Sequence, residues 1–241
     1  VRGVPVASVG NLETYGLFPD IKDQAMRKYA LEAFAKMYGG ERGTDAVADF
    51  LGQTGTDALK GADLLRTAIG KYSSSVEYAS NPIADSLNDV AKVMFADLGT
   101  RIFYTQHGSF DTHSGELATH GKLISEVSTG VADFYDDLKE HGRENDTTIL
   151  VFSEFGRRIK DNGNGTDHGS GGGTFLIGEK VKGGFYDEYP SLAPEKQSNG
   201  DLQFSHDFRS IYSTVLEQWL GLNPIPIVNG KFDQFESVFN V

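Results

Sequence analysis

An apolar run, a helical pattern and a second apolar run, in that order, constrain the fold more than any other feature of the chain. Residues 101–106 (RIFYTQ) and 147–152 (TTILVF) are rich in β-branched and aromatic side chains, which predicts two strands. The second run is almost wholly apolar, as is typical of a strand buried on both faces in a parallel sheet. Residues 116–141 carry apolar side chains at helical spacing. This order predicts an open α/β sheet whose ligand site lies past the carboxyl ends of its strands.

The rest of the chain is expected to extend this plan as a single α/β domain covering residues 1–241. Residues 4–9 and 174–178 predict two further strands, and residues 206–220 predict an amphipathic helix. The first residue is Val1 rather than Met, so we expect the sequence to be the C-terminal part of a longer chain.

Most of the first hundred residues have helical character. Residues 21–98 are expected to form a helical segment that is a cap over the sheet or an insertion into it. Within it, separate helices are predicted at 44–51 and 56–69, because Gly52 and Gly55 supply turn residues between them.

The acidic balance and the absence of cysteine exclude several classes of protein. The chain has 34 acidic and 22 basic residues, a net charge of −12, and no cysteine. Binding to nucleic acid needs clustered Lys and Arg, so we expect no nucleic-acid partner. Disulfides, thiol nucleophiles and cysteine-ligated zinc are excluded. No apolar run reaches the length of about 20 residues that a transmembrane helix needs.

Three acid or imidazole clusters follow the predicted strands or lie in nearby loops. Asp111 and His113 share one face of an extended segment, so both can reach one ion. His168 lies in a run of small residues (NGNGTDHGSGGG), and such a loop lets the backbone approach a ligand closely. Carboxylate with imidazole favours zinc, manganese or iron over calcium or magnesium. The alternatives are that Asp111 caps a helix and that His168 is incidental in a surface loop.

The second cluster, SEFGRR, supplies a carboxylate and two guanidinium groups. Glu154 follows the most apolar strand and is predicted to complete the site or to orient its groups. Arg157 and Arg158 are predicted to grip a phosphate or sulfate, with Arg157 also in a catalytic role. The alternative is that one arginine pairs with Glu154 and the other is solvated. Hydrogen bonds that orient the ligands are expected from residues around them: His107, His120 and Asp167.

Four motifs give the chain a family resemblance. GSFDTH, SEFGRR, GTDHG and DFRSIYSTVLEQWLG, spread from about Arg101 to Leu222, resemble the signatures of a sulfatase-like bacterial family of unknown function. Its members usually carry a twin-arginine export signal and belong to the alkaline phosphatase superfamily. The resemblance implies a doubly wound, mostly parallel sheet flanked by helices, here lacking its N-terminal strands. It also implies a periplasmic or otherwise exported location.

The same resemblance implies roles for individual residues. Asp111, His113 and His168 stand where the superfamily holds one metal ion of a dinuclear site. Glu154 and Phe155 stand where many relatives have an Asp and a metal-ligating His, so the second metal ion is not expected to be held in the usual way. The segment that carries the superfamily's nucleophile has no match and is expected before Val1.

The function expected from these features is metal-dependent hydrolysis of phosphate or sulfate esters, with a small-molecule or glycan ester as substrate. The alternative is an exported structural or binding protein that keeps the fold with a degraded metal site. A carbohydrate-binding domain is a third reading that rests on scattered aromatic residues alone. An oligomer, or a separate chain that supplies the N-terminal part, is compatible with all three.

Overall fold

The chain divides into two compact units. The structure, a computed structural model, describes residues 8–10, 12, 21, 23–38 and 46–240. One unit comprises Val1–Ser75 and Asp85–Thr105, and the other comprises Val76–Ala84 and Gln106–Val241. The strand predicted at residues 4–9 lies almost entirely outside the described residues. All the predicted site residues belong to the second unit.

The first unit is built from helices α1 (Gln24–Tyr38), α2 (Ala46–Ile69) and most of α3 (Pro82–Phe95). Asp23 caps the start of α1, since its Oδ1 accepts a hydrogen bond from the Met26 amide at 2.7 Å. The rings of Tyr72 and Phe95 stack with centroids 5.9 Å apart, which joins the segment after α2 to the end of α3.

The two helices predicted at residues 44–51 and 56–69 are in fact one, so that prediction is wrong. Helix α2 runs without a break through Gly52 and Gly55. Gly55 is buried, and a Cβ built there would lie 2.8 Å from the ring of Tyr38 on α1. The glycine therefore permits close packing of the two helices rather than a turn between them, and this packing outweighs its low helix propensity.

The strand predicted at residues 101–106 is also absent from the structure. The segment has no regular secondary structure, and Ile102 and Tyr104 are 70% and 74% exposed. The preference of β-branched and aromatic residues for strands reflects how well their side chains fit a half-buried pleated surface. Because no strand among the described residues pairs with this segment, its composition does not produce a strand.

The longest helix of the second unit, α4 (Glu116–Glu140), agrees with the prediction at residues 116–141. It holds the segment Val76–Ala84 through two carboxylates one turn apart. Asp137 is fully buried and accepts a hydrogen bond from the Tyr78 hydroxyl at 2.7 Å. Asp133 accepts one from the Ala79 amide at 2.8 Å. A buried carboxylate is tolerated only when it is paired, so these contacts fix the position of the segment.

Two small antiparallel sheets complete the second unit. Strands β1 (Ile149–Val151) and β4 (Phe175–Ile177) pair with each other and fall within the predicted strands at 147–152 and 174–178. Strands β2 (Gly156–Asp161) and β3 (Thr166–Gly169) form a hairpin with an irregular register. The described strands show no parallel pair, and they are too few and too short to decide the sheet order. The doubly wound, mostly parallel sheet stays a prediction.

The C-terminal part is helical and ends in a docked tail. A short 3₁₀ turn lies at Pro194–Lys196, and α5 (Arg209–Thr214) continues as a π-helical turn at Val215–Trp219, followed by α6 (Ile225–Val228). Phe239 is buried, and its ring stacks on Trp219 at 5.3 Å. Within the described part of the chain, no helix combines the length and the apolar character needed to cross a membrane.

The contact between α4 and the segment Val76–Ala84 gives a prediction about stability. A Cβ on Gly130 would lie 3.1 Å from the Ala84 amide nitrogen and 3.2 Å from its Cα, both rigid backbone atoms. We expect Gly130→Ala to lower the free energy of unfolding by about 1–3 kcal/mol through overpacking. Chemical denaturation measures this change.

The matched control is Gly121→Ala on the same helix, where a Cβ would meet nothing within 4 Å. Its expected effect is a gain of about 0.5–1 kcal/mol from helix propensity. Equal effects of the two substitutions would show that α4 does not pack against Ala84 in this way.

Candidate metal centre

The candidate site is assembled where the loop at residues 110–116 lies against the β2–β3 hairpin. The turn of the hairpin reads Asn-Gly-Asn-Gly, and its two asparagine side chains bind the loop. Asn162 donates from Nδ2 to the His113 carbonyl at 3.1 Å. Asn164 donates to the Ser114 hydroxyl at 3.0 Å and accepts from the Gly115 amide at 3.3 Å. Asparagine suits such positions because its short amide reaches nearby backbone groups.

The hairpin and the loop approach each other so closely that one position between them has no room for a side chain. Gly165 is buried, and a Cβ on it would lie 2.6 Å from the Thr112 carbonyl oxygen and 2.9 Å from the His113 carbonyl carbon. Next to it, the Thr166 hydroxyl donates to Glu116 Oε2 at 2.7 Å. The loop is thus fixed at both ends of the segment that carries the predicted ligands.

This arrangement brings together the three residues that the sequence predicts as metal ligands. His168 Nε2 lies 2.7 Å from Asp111 Oδ1, and His113 Nδ1 lies 2.9 Å from the same oxygen. One ligand atom from each residue lies within 4.8 Å of the other two. All three side chains are about half exposed, at 62% for Asp111, 50% for His113 and 45% for His168. Three donor groups therefore converge on a point that solvent can reach.

The charge state of Asp111 follows from its neighbours. The hydrogen bond from His168 lowers the pKa of the Asp111 carboxyl, and the charges of His113, His168 and Arg157 lower it further, against a smaller opposing effect of desolvation. The carboxylate is therefore ionised at neutral pH and below. It accepts a hydrogen bond from His168, whose Nε2 must therefore carry a proton, and it lies 2.9 Å from His113 Nδ1.

Phe155 and Arg157 form a layer behind His168. The ring of Phe155 stacks on the imidazole of His168, with centroids 4.0 Å apart and an angle of 12° between the planes. The guanidinium carbon of Arg157 lies 5.0 Å from the centre of the Phe155 ring. Phe155 cannot bind a metal ion, but its ring restricts the orientation of an imidazole that can.

Arg157 directs its donors at the protein itself. Its Nη1 donates to the Thr166 carbonyl at 2.5 Å, and its Nη2 donates to the Phe110 carbonyl and, at 3.3 Å, to the Thr112 hydroxyl. Arg158, the next residue on β2, is exposed. Of the two arginines predicted to grip an anion, the structure therefore leaves Arg158 turned to solvent and uses Arg157 within the site.

The remaining predicted residues lie around the three ligands rather than among them. Glu154 is exposed in the segment between β1 and β2 and does not belong to the cluster.

The three residues predicted to orient the ligands contact the loop and the turn instead. His107 pairs with Glu126 at 3.0 Å, and its ring meets Phe110 edge to face, as does the ring of His120. Asp167 accepts a hydrogen bond from Asn162 at 3.1 Å. These contacts hold the loop and the turn in place and do not reach the ligand atoms.

The asparagines of the turn were not predicted as functional residues, although a sequence signal for them exists. Asn162 and Asn164 lie in the run that the sequence presents only as small and flexible. Asparagine at alternate positions of a glycine-rich turn indicates hydrogen bonds from side chain to backbone. The sequence does not tell which segment receives them.

Comparison with known proteins assigns a family to the chain. The model of a family of proteins of unknown function, DUF1501, matches residues 32–224. The chain belongs to this family. The matched residues include Asp111, His113 and His168. No curated protein and no solved structure matches the chain. The expectation of a family of unknown function is confirmed.

The close contact at Gly165 gives a prediction about the site. Gly165→Ala forces the backbone at Thr112 and His113 away from the hairpin, because a Cβ has no space there. We expect the free energy of unfolding to fall by about 1–3 kcal/mol. The amide resonances of residues 110–116 should shift in the two-dimensional NMR spectrum of the folded protein.

Gly173→Ala is the control, since a Cβ at that position meets nothing within 4 Å. If both substitutions left the loop resonances in place, the loop would not lie against the turn of the hairpin.

Proposed function

We propose that this DUF1501 protein is a metal-dependent hydrolase of phosphate or sulfate esters, of the alkaline phosphatase and sulfatase type. The observation that carries the proposal is the cluster of Asp111, His113 and His168, whose ligand atoms lie within 4.8 Å of one another. The three residues come from two segments that pack together through hydrogen bonds of their own. Their convergence is thus a property of the fold rather than of one flexible loop.

The donor set fits a divalent transition metal. Two imidazole nitrogens and one carboxylate oxygen match the ligands of zinc, manganese or iron, whereas calcium and magnesium prefer oxygen ligands alone. Catalytic metal sites commonly have three protein ligands and leave further positions for water and substrate. The exposure of all three side chains leaves such positions accessible. Asp111, His113 and His168 would hold the ion.

A bound divalent ion supplies Lewis acidity, which polarises the ester oxygen and lowers the pKa of the attacking group. The chain's own residues do the rest of the work in this proposal. Arg158 is exposed and presents a charged fork of donors to the ester anion. Glu154, next to the Phe155 ring that stacks on His168, orients groups at the mouth of the site or accepts a proton there.

The family resemblance adds three elements to the proposal. They are a doubly wound, mostly parallel sheet of the alkaline phosphatase type, an exported or periplasmic location, and a small-molecule or glycan ester as substrate. The four motifs and their order support all three.

One observation favours a second function, an exported structural or binding protein with a degraded site. Phe155 stands where many relatives of the resembled family carry a metal-ligating histidine, and its ring packs on His168. A protein that had lost its second metal ion would be free to keep the first for stability alone. The two functions differ in whether the loaded protein turns over an ester.

The first test compares the metal content of the unaltered chain with that of a variant that lacks one of the three ligands. We expect the dialysed protein to retain about one equivalent of zinc, manganese or iron per chain, and His168→Ala to lose it. Elemental analysis by mass spectrometry measures both. His206→Ala is the control, because His206 contacts Asp187 at 3.4 Å and does not belong to the cluster. Retention of metal by His168→Ala would contradict the site.

Ester hydrolysis separates the two functions. We expect the metal-loaded protein, with any preceding segment of the natural chain included, to hydrolyse an aryl phosphate or an aryl sulfate above the background rate. Asp111→Ala should return the rate to background, because it removes the shared carboxylate. Asp146→Ala, which alters only exposed contacts with Arg143 and Thr147, should not change it. A metal-loaded protein without turnover on either ester would favour the structural or binding function.

A further inference from the structure

Arg157 touches both halves of the candidate site. Its Nη2 donates to the Phe110 carbonyl and the Thr112 hydroxyl, and these residues directly precede and follow Asp111. Its Nη1 donates to the Thr166 carbonyl, two residues before His168 on β3. One guanidinium therefore spans the loop that supplies the carboxylate and the strand that supplies the imidazole.

A second contact runs from Arg157 to the imidazole of His168 through Phe155. The guanidinium lies 5.0 Å from the Phe155 ring centre, within the range of a cation–π interaction. The same ring stacks on the imidazole of His168, at 4.0 Å between centroids. Arg157 is also paired directly with His168 across the hairpin. The position of His168 thus depends on Arg157 through the backbone and through a stacked ring.

The contacts of Arg157 require a guanidinium rather than a positive charge alone. Three acceptors in different directions match the planar fork of an arginine, whereas a lysine ammonium at the end of a flexible stem cannot reach all of them or lie flat over a ring. The acceptors are two backbone carbonyls and a buried hydroxyl. An arginine whose donors are used in this way does not present them to a substrate anion.

We infer that Arg157 is a positioning residue, which sets the distance and orientation between Asp111 and His168 for metal binding. This inference rests on the proposed metal site and deepens it. It separates two adjacent arginines: Arg157 orients the metal ligands, whereas Arg158 is exposed to solvent. Residues that orient metal ligands in this way commonly change metal affinity by about 10–100-fold when they are replaced.

The test compares Arg157→Lys with Arg158→Lys, two substitutions that keep the charge on neighbouring residues of one strand. Zinc affinity is measured by calorimetric titration of the metal-free proteins in the absence of any ester. We expect Arg157→Lys to weaken zinc binding by about 10–100-fold and Arg158→Lys to leave it unchanged. The visible absorption spectrum of the cobalt-substituted protein, which reports coordination geometry, should change only in Arg157→Lys.

A structural role without influence on the ligands gives a different result. In that case Arg157→Lys lowers the melting temperature of the metal-free protein but leaves the zinc affinity and cobalt spectrum as in the unaltered chain, and the inference is overturned. If the unaltered chain itself binds no zinc, the proposed metal site fails and the inference fails with it. The two failures are therefore distinguishable.

A second variant covers the case in which Arg157→Lys does not fold. Phe155→Leu keeps an apolar side chain of similar volume and removes the ring that contacts both Arg157 and His168. We expect weaker zinc binding and an altered cobalt spectrum in this variant as well. Zinc binding and a spectrum equal to those of the unaltered chain would overturn the inference.

Discussion

The hydrogen bonds between the hairpin turn and the loop at residues 110–116 are the contacts on which the site depends. Asp111 and His168 lie 57 positions apart in the sequence, so their meeting requires a long loop to close. The entropic cost of closing a loop grows only slowly with the length of the loop, but favourable contacts must still offset it. Asn162 and Asn164 supply these contacts by binding the His113 carbonyl, the Ser114 hydroxyl and the Gly115 amide.

The ion pairs within the cluster do not hold the loop. Asp111 and both imidazoles are about half exposed, and exposed pairs are screened by water and contribute little to stability. Each net hydrogen bond of the asparagine amides contributes about 0.5–1.5 kcal/mol, and Gly165 gives the two backbones room to meet. The scaffold is therefore stabilised by contacts outside the cluster, which leaves Asp111 and the two imidazoles available for a ligand.

The sequence predicts the ligands better than it predicts the scaffold that joins them. Asp111, His113 and His168 follow from residue type and spacing, and the structure brings them together. The β2–β3 hairpin gives no comparable signal, because its strands are polar and irregular in register and lack clear alternation. The strand expected at residues 101–106 is absent since its apolar side chains face solvent. Pairing partners are long-range information, which local composition does not contain.

The carboxylate oxygen of Asp111 and the imidazole nitrogens near it can either contact one another or bind a metal ion. Without a metal ion, Asp111 Oδ1 accepts a hydrogen bond from His168 Nε2 and lies 2.9 Å from His113 Nδ1, and those nitrogens are the ones a metal ion would bind. Metal binding must therefore release or relocate the proton on His168 Nε2. The hydrogen-bonded arrangement already holds the three groups close together, so little reorganisation remains. A residue that keeps the two segments at this spacing favours the metal-bound form without touching the ion. Arg157 is placed to do so, because it donates hydrogen bonds to both segments.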